Sequence, residues 1–412
     1  MEGTTQLPRE IEYRMSLRIV ISAGEVSGDR HLSKAVAALK TRYPECEIRG
    51  MAGRECEQAG AELLVDCYRS GATMGFAEIL KSITKIFASF KTMSKLIREW
   101  KPDVLVLTDY PDFNMRLAKV AHRAGIRVVY FIPPKAWAWR PGRVELIKEF
   151  VTQVAAIFPF EKKFYADRDY PHVTYVGNPL GDKVTNEWPE RSNTLLMLPG
   201  SRKFEVELIL PPMLRVFERL RRERPVLKGR VVAAPNMNPE KLAELARSVV
   251  SADTIEHLSW THDDALQEMR KARAGILKSG TCNLEGAVAG LPFVSVYSGS
   301  WVSKVITFFL VRLKEYSPVN IMRSGTAREV FGVRIDEDAL EQAVIEILDD
   351  GPHREEMVAA LGEVRTMLTS FDIPPGMNHA GTAADRLAHV IESVARDERN
   401  AQASEERGAE NG

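Results

Sequence analysis

The sequence predicts an α/β protein of two doubly wound halves that face one another across a cleft. Three observations carry that expectation. From Arg18 onward, short apolar runs alternate with amphipathic helical stretches, the pattern of right-handed βαβ units on a parallel sheet. A polar, proline-containing stretch from Lys183 to Asn193 interrupts the alternation and reads as a linker, after which the pattern restarts. In both halves glycine-containing turns follow strands directly, at the carboxyl ends where open parallel sheets bind ligands.

In the first half, strands are expected at Arg18–Ser22, Glu47–Gly50, Val104–Thr108, Arg127–Phe131, Val154–Phe158 and Val173–Val176. Helices are expected at His31–Arg42, Thr84–Trp100 and Leu117–Ala124. The run VLVLT at Val104–Thr108, rich in β-branched residues, is a clear strand signal. In the second half the expected strands are Thr194–Leu198, Gly229–Ala233, Thr254–His257, Ala274–Leu277 and Phe293–Val296, with helices between them. The expected domains are 16–182 and 193–365, followed by a helical segment, 366–395. A tail, 396–412, is charged and has almost nothing to bury, so it reads as solvated and disordered.

At 412 residues the chain is long enough for two domains with separate cores. Its 56 basic and 56 acidic residues leave no net charge to attract nucleic acid. The four cysteines, Cys46, Cys56, Cys67 and Cys282, follow no zinc spacing and are too few for a disulfide framework, so a reducing compartment is expected. Met1 to Arg14 lacks the apolar core of a secretory signal, and no apolar run reaches the roughly 20 residues of a spanning helix. The expectation is a cytoplasmic protein, dissolved or bound to a membrane surface.

The most informative stretch is Leu196–Glu207, LMLPGSRKFEVE. A strand feeds a tight turn through Gly200 and Ser201 into a helix, which sets backbone N–H groups and the helix dipole against an anion. Arg202 adds a forked cation suited to phosphate oxygens. A second such element runs from Gly275 through Ser279, Gly280 and Thr281, with Glu285 one helical turn on to meet a ribose hydroxyl. Two phosphate-cradling turns and that acid point to a nucleoside diphosphate, and so to an enzyme using an activated sugar nucleotide.

The first half carries its own candidates. In Ala23–Asp29, AGEVSGD, Gly24 and Gly28 let the backbone approach a ligand, while Ser27 and Asp29 can bond hydroxyls or cap the next helix. The stretch is not GxGxxG and no acid follows at the dinucleotide position, which argues against NAD. In Thr108–Asn114, TDYPDFN, Asp109 stands at a strand tip facing the cleft as a candidate general base, with Asp112 and Asn114 placed as helix caps. In Pro133–Arg140, PPKAWAWR, Trp137 and its interleaved cations can stack on a sugar, or the tryptophans can plug a domain boundary. Between Met74 and Ile97 large apolar residues recur at helical spacing, with Lys81, Lys85, Lys91 and Lys95 among them. Such a stripe packs into a core or lies on an anionic bilayer. The acids at Asp167/Asp169 and Asp336/Asp338 read as exposed turns, so no metal is expected.

Taken in order, AGEVSGD, TDYPDFN, PPKAWAWR, FPFEKKFY (Phe158–Tyr165), LPGSR with EVE, and SGTCNLE (Ser279–Glu285) resemble the lipid-A-disaccharide synthases, from about Val20 to about Phe331. The resemblance implies a GT-B-like fold, two Rossmann-like domains with a C-terminal helix crossing back onto the first. It implies an inverting transfer that needs no metal or other cofactor. UDP-2,3-diacylglucosamine would donate its sugar to the 6-hydroxyl of 2,3-diacylglucosamine 1-phosphate, giving UDP and the β-1′,6-linked disaccharide 1-phosphate of lipid A biosynthesis. The implied partners are those two acylated sugars and the inner-membrane lipid surface on its cytoplasmic face, with no nucleic acid.

By the same match Asp109 is the base, and Gly24, Ser27, Gly28, Asp29, Trp137 and Arg140 bind substrate. UDP falls to Gly200, Ser201, Arg202, Ser279, Gly280, Thr281 and Glu285, and the membrane to Phe76, Ile79, Leu80, Ile83 and Phe87. The chain departs from the family pattern at Asn178, where histidine is usual, at Ser298, where arginine is, and at Gly332, where glutamine is. Two other readings stay open. One is a divergent transferase or epimerase acting on another UDP-sugar, and the other a non-catalytic sugar-nucleotide-binding membrane protein.

Overall fold

The computed structural model describes residues 17–67, 76–138, 140–185, 189–234, 237–298 and 315–410, the side chains of 76–83, 239 and 397–410 excepted. It divides into two compact units: unit 1 is Met1–Pro179 with Phe371–Gly412, and unit 2 is Leu180–Ser370.

Unit 1 holds a sheet of seven parallel strands: β1 (Arg18–Ala23), β2 (Glu47–Ala52), β3 (Glu62–Asp66), β4 (Val104–Thr108), β5 (Arg127–Phe131), β6 (Gln153–Ala156) and β7 (Val173–Tyr175). The order is β3-β2-β1-β4-β5-β6-β7, so the direction of winding reverses between β1 and β4. Helices α1 (Val26–Arg42), α2 (Arg54–Gln58), α3 (Phe76–Trp100), α4 (Pro111–Arg123), α5 (Arg143–Phe150) and α6 (Pro159–Ala166) make the connections. Register sets Ala23 beside Thr108, and Thr108 beside Phe131, so the exits of β1, β4 and β5 lie side by side. An apolar layer covers each face of the sheet.

Unit 2 repeats the plan with six parallel strands: β8 (Thr194–Leu198), β9 (Lys228–Val232), β10 (Leu258–Thr261), β11 (Ala274–Lys278), β12 (Phe293–Ser298) and β13 (Glu329–Gly332). Their order, β10-β9-β8-β11-β12-β13, reverses between β8 and β11. The helices are α7 (Lys203–Glu223), α8 (Pro239–Arg247), α9 (Ala252–Glu256), α10 (Ala265–Lys271), α11 (Thr281–Val288), α12 (Pro318–Met322), α13 (Glu337–Leu348) and α14 (Pro352–Thr369). Leu198 pairs in register with Leu277, which sets the two phosphate-turn candidates next to each other.

The chain then returns to unit 1. The Asp372 N–H donates to the carbonyl of Tyr175 at 2.8 Å, and the Asp372 carboxylate accepts the Tyr175 N–H at 3.0 Å and an ion pair from Lys162 at 2.9 Å. The last helix, α15 (Ala383–Glu410), places Leu387, Ala388, Val390, Ile391, Val394 and Ala395 in the same apolar layer as Ile19, Ile21, Leu32, Val36 and Leu39. Each large aliphatic side chain buried there contributes about 1.5–3 kcal/mol. Buried Arg386 donates to the carbonyls of Val176, Ala380 and Gly381, each at 2.7 Å, and anchors the start of the helix.

Several expectations need correction. Thr254–His257 is not a strand: the Ser251 hydroxyl accepts the Thr254 N–H and starts α9 there, and the strand is displaced to Leu258–Thr261. The edge strands β3 and β13 escape sequence reading because half-exposed edges mix polar and apolar residues without a period. Within the stretch read as a solvated tail, α15 continues to Glu410, through residues rich in Ala, Glu and Arg with no proline. The stretch read as a linker ends pinned: Arg191 donates to the carbonyls of Met269, Ala272, Ala289 and Gly290 at 2.8–3.0 Å.

Candidate active site

The winding of unit 1 reverses between the ends of β1 and β4, and Asp109 is the first residue beyond β4. Asp109 and Tyr110 both adopt left-handed backbone, with φ of 51° and 45°. A non-glycine residue there is strained, and a consecutive pair persists only where its surroundings fix it. Here they do. Fully buried Asn114 donates its amide N–H to the carbonyls of Asp109 at 2.8 Å and Thr108 at 3.1 Å, and the buried Tyr130 hydroxyl donates to the Asp109 carbonyl at 2.9 Å. The Ser22 hydroxyl, from the next strand, holds Asn114 at 2.6 Å. Asn114 is therefore a lock on the strand tip rather than the helix cap expected for it.

The Asp109 side chain is half-buried and accepts the Tyr110 N–H at 3.0 Å. Burial raises its pKa, opposed by that hydrogen bond and by the positive charge of Lys135. A carboxylate with a raised proton affinity is better matched to taking a proton from a hydroxyl near neutral pH. Gly24, at the end of β1, is the space into which the Tyr110 ring fits. Gly28 meets Thr108 and Asp109 only at ordinary contact distance, and Ser27 is exposed.

Asp29 points into the fold rather than toward solvent. It is fully buried, and its carboxylate accepts the N–H groups of Gly53, Glu55 and Cys56 at 2.9–3.1 Å, which satisfies the N-terminus of α2. Asp112 is likewise not the expected cap: no side chain caps α4, and Asp112 pairs with Arg143 at 2.7 Å and Arg140 at 3.6 Å.

Trp137 is half-buried and donates its indole N–H to Glu161 at 3.2 Å. Its ring meets Phe160 edge-on at 5.1 Å, and Phe160 stacks on Phe158 at 5.4 Å, forming an aromatic surface next to the exit of β6. Glu161 carried no role in the sequence reading. It is buried, its second oxygen accepts the N–H groups of Ile157 and Phe158, and burial pushes its pKa up to about 7. The available signal was Pro159 followed by Glu161 at a helix start, a capping pattern. Trp139 lies outside the described residues.

In unit 2, Gly200 takes φ of 120°, and Arg202 begins α7 as its N-terminal flanking residue. Buried Glu205 ties the two turns together, accepting an ion pair from Lys278 at 3.0 Å and a looser one from Arg202 at 3.7 Å. The Arg202 side chain stays largely exposed. A side chain at Gly200 would meet the Glu205 carboxylate at 2.7 Å. Ser279 and Gly280 are half-buried, Thr281 exposed, and Glu285 half-buried in the second half of α11, one turn beyond Thr281. Asn283 accepts the Gly280 N–H at 3.2 Å and the hydroxyls of Ser295 and Ser317, holding the turn from below. Sequence reading gave no role to Glu205 or Lys278, because a pair formed between two strand exits has no local spacing.

The expected membrane residues Phe76, Ile79, Leu80 and Ile83 have side chains outside the described set. Phe87 is 71% exposed, and Lys85 and Lys91 are exposed beside it. Further along α3 the same stripe turns inward, and Met93, Leu96 and Ile97 belong to the core. No helix among the described residues is long and apolar enough to cross a membrane. Two departures from the expected family pattern are buried structural contacts: Asn178 donates to the Ile157 carbonyl at 3.3 Å, and Ser298 to the Val333 carbonyl at 3.0 Å. Asp336 caps α13 and Asp167 pairs with Lys163, so the two acidic motifs are structural turns.

The fold is similar to that of the calicheamicin glycosyltransferase, with a TM-score of 0.59 and 14% identity over 92% of this chain and 98% of that one. It is also similar to a UDP-GlcNAc 2-epimerase from Methanocaldococcus jannaschii solved with UDP-GlcNAc and UDP (TM-score 0.54, 13% identity, 92% of this chain and 100% of that one). Closer in sequence are lipid-A-disaccharide synthases. That of Koribacter versatilis is 31% identical over 392 residues, covering 92% of this chain and 99% of the relative. That of Myxococcus xanthus is 34% identical over 364 residues, covering 85% and 93%. The family model described as lipid-A-disaccharide synthetase matches residues 19–368, which takes in both strand-exit clusters. With that match spanning both units, the chain belongs to the lipid-A-disaccharide synthase family.

Proposed function

We propose that this protein forms the β-1′,6-linked lipid A disaccharide 1-phosphate by inverting transfer from UDP-2,3-diacylglucosamine to 2,3-diacylglucosamine 1-phosphate. The observation that carries the reading is the strained, locked strand tip that presents Asp109 where the winding of unit 1 reverses. Asp109 takes the proton of the acceptor 6-hydroxyl as its oxygen attacks C1 of the donor sugar. The bond from C1 to the diphosphate oxygen breaks on the opposite face, and UDP leaves with the electron pair. Attack opposite the leaving group inverts the anomeric centre.

Charge grows on the diphosphate as it departs, and preorganised cations and backbone N–H groups are the usual remedy. Arg202, Lys278 and the turns through Gly200–Ser201 and Ser279–Thr281 supply them in unit 2, and Glu285 holds the ribose. In this reading the transfer needs no metal. Trp137 and its aromatic neighbours offer an apolar face to the acceptor sugar, and the exposed Phe87 with Lys85 and Lys91 rests on the cytoplasmic side of the inner membrane. The test is UDP release from the acylated donor, with and without the acylated monosaccharide phosphate, in the presence and absence of a chelator. Acceptor-dependent release unaffected by chelation supports the reading. Release that ignores the acceptor, or epimerised donor with no release, overturns it.

A further inference from the structure

Glu205 stands third in α7, just after the glycine turn that follows β8. A glutamate at that position often reaches back to accept the N–H of the residue flanking the helix. Among the described residues the Glu205 carboxylate makes no such bond, although its side chain is only 6% exposed. It meets two cations from two strand exits instead. Lys278, the last residue of β11, reaches its Oε1 at 3.0 Å, and Arg202, beyond β8, approaches the same oxygen at 3.7 Å. The other oxygen, Oε2, faces Gly200, where an added β-carbon would stand 2.7 Å away. One oxygen is set against the turn backbone, and the other gathers both cations.

A buried carboxylate beside a turn that takes an anion runs against simple charge complementarity, since its field repels a phosphate. What it supplies is a meeting point. Arg202 and Lys278 repel one another, and both are long side chains that lose much freedom when held in one place. Lys278 is confined further: its side chain is 21% exposed, and its ammonium stands 6.0 Å from the centre of the Tyr297 ring. β8 and β11 are neighbours at the point where the winding of unit 2 reverses, and Leu198 pairs with Leu277, the residue before Lys278. Two cations drawn to one oxygen at that point stand side by side, the arrangement that two linked phosphates require.

We infer, on the nucleotide site proposed above, that Glu205 is a positioning residue for the donor's diphosphate, holding Lys278 and Arg202 together across two strand exits so that both meet it at once. A negative charge within the site thereby raises its affinity for an anion. Cations gathered before the ligand arrives need not be ordered when it binds. The same pair then faces the charge that grows on UDP as it leaves.

The sign of one effect separates positioning from plain electrostatics. Glu205→Gln keeps the side chain's size and removes its charge. The field alone would then make UDP bind more tightly, whereas loss of the tether makes it bind more weakly. By calorimetry on the full-length protein, Glu205→Gln should weaken UDP about tenfold, the worth of one charge-assisted hydrogen bond, and leave uridine, which has no phosphate, at parent affinity. Lys278→Met should act in the same way. The double variant should lose little more than Lys278→Met alone, because both changes remove one shared interaction. With the acylated donor, the KM for the donor should rise in Glu205→Gln while the KM for the acceptor stays at the parent value. Should Glu205→Gln fail to fold, Glu205→Asp carries the test, since it draws the carboxylate back from both cations: it should bind UDP more weakly than the parent, with uridine unchanged. A folded variant that binds UDP as tightly as the parent, or losses that add fully in the double variant, would overturn the inference. Equal weakening of UDP and uridine would overturn it too, and would mark Glu205 as a support of the fold alone. A parent that binds no UDP is a different failure, that of the nucleotide site itself.

Discussion

The ring of Tyr110 lies so close over Gly24 that a β-carbon added to the glycine would stand 2.3 Å from the ring. That contact joins the exits of β1 and β4, and Tyr110 is the neighbour of Asp109, the base in the proposed transfer. Tyr110 also stacks on Phe113 at 5.3 Å, so the ring has little room to yield. Gly24→Ala should displace Tyr110 and with it the Asp109 peptide, lowering kcat by roughly 10- to 100-fold, as expected when a reacting group is misplaced by an ångström. The Tyr110 β-carbon itself would stand 2.7 Å from the added methyl, so the double variant Gly24→Ala with Tyr110→Gly is the one that removes the clash, and it should recover the thermal midpoint lost in the single variant. Wild-type kinetics in Gly24→Ala would show that the ring position does not matter.

Asp109→Asn should lower kcat by roughly 10²–10⁴-fold with UDP affinity unchanged, because a general base is lost but the nucleotide contacts are not. The base acts only when ionised, and burial raises its pKa. The acidic limb of the kcat/KM profile should therefore fall at a higher pH than an ordinary carboxylate would give. A folded Asp109→Asn variant with near-normal turnover would remove Asp109 from the mechanism.

Glu161 makes a pH prediction about stability. Its pKa rises from 4.5 to about 7 on folding, so its protonated form is the one the fold favours. The stability it contributes is complete below the unfolded value and is lost as pH rises through about 7. Glu161→Gln cannot ionise, and it also sets an amide N–H against one of the three N–H donors around the carboxyl. The parent should be the more stable protein at pH 5, and its advantage should shrink by pH 8, at about 1.4 kcal/mol per unit of pKa shift. Melts of both proteins across that range, differing by a constant amount, would show that Glu161 does not titrate there.

Arg202→Ala should weaken UDP binding about tenfold or more, since a diphosphate loses a forked, charge-assisted partner. Glu285→Ala should weaken UDP while leaving inorganic pyrophosphate unaffected, because only the ribose contact goes. Titration calorimetry with both ligands reads the two effects. Unchanged UDP affinity in both variants would move the nucleotide elsewhere.

Phe87→Ser should leave the thermal midpoint unchanged, since the side chain is 71% exposed, yet reduce co-sedimentation with anionic vesicles. Raising the salt concentration should weaken the parent's binding as well, by screening Lys85 and Lys91 from the lipid. In contrast, Met93→Ser, one turn or two along the same stripe, should destabilise the fold by about 2–5 kcal/mol because Met93 is in the core. If Phe87→Ser binds vesicles as the parent does, the membrane contact lies outside this helix.

The fold was largely legible because a parallel sheet announces itself: VLVLT at β4 and LLML within β8 are buried runs followed at once by turns. The strand exits were legible for the same reason, and Asp109, Gly200 and Ser279 all fall on them. What was not legible is which polar residue answers to which. Asp29, Asp112 and Asn114 share one sequence signature, a short polar side chain beside a helix start. Only packing assigns the first to α2, the second to two arginines and the third to the Asp109 carbonyl. Glu205 with Lys278, and Glu161 with Trp137, join positions that sequence spacing cannot relate.

The return of the chain to unit 1 fixes an order of assembly. Unit 2 is an insertion, and the apolar layer on one face of the β1 sheet stays incomplete until Leu387, Ile391 and Val394 arrive. On the ribosome, synthesis proceeds from the N-terminus, so the half made first is the half finished last. Its sheet must wait, with one face uncovered, through the synthesis of the whole of unit 2. A nascent chain stalled before Ala383 should hold a completed second unit and an unfinished first one, the reverse of what its order of synthesis would lead one to expect.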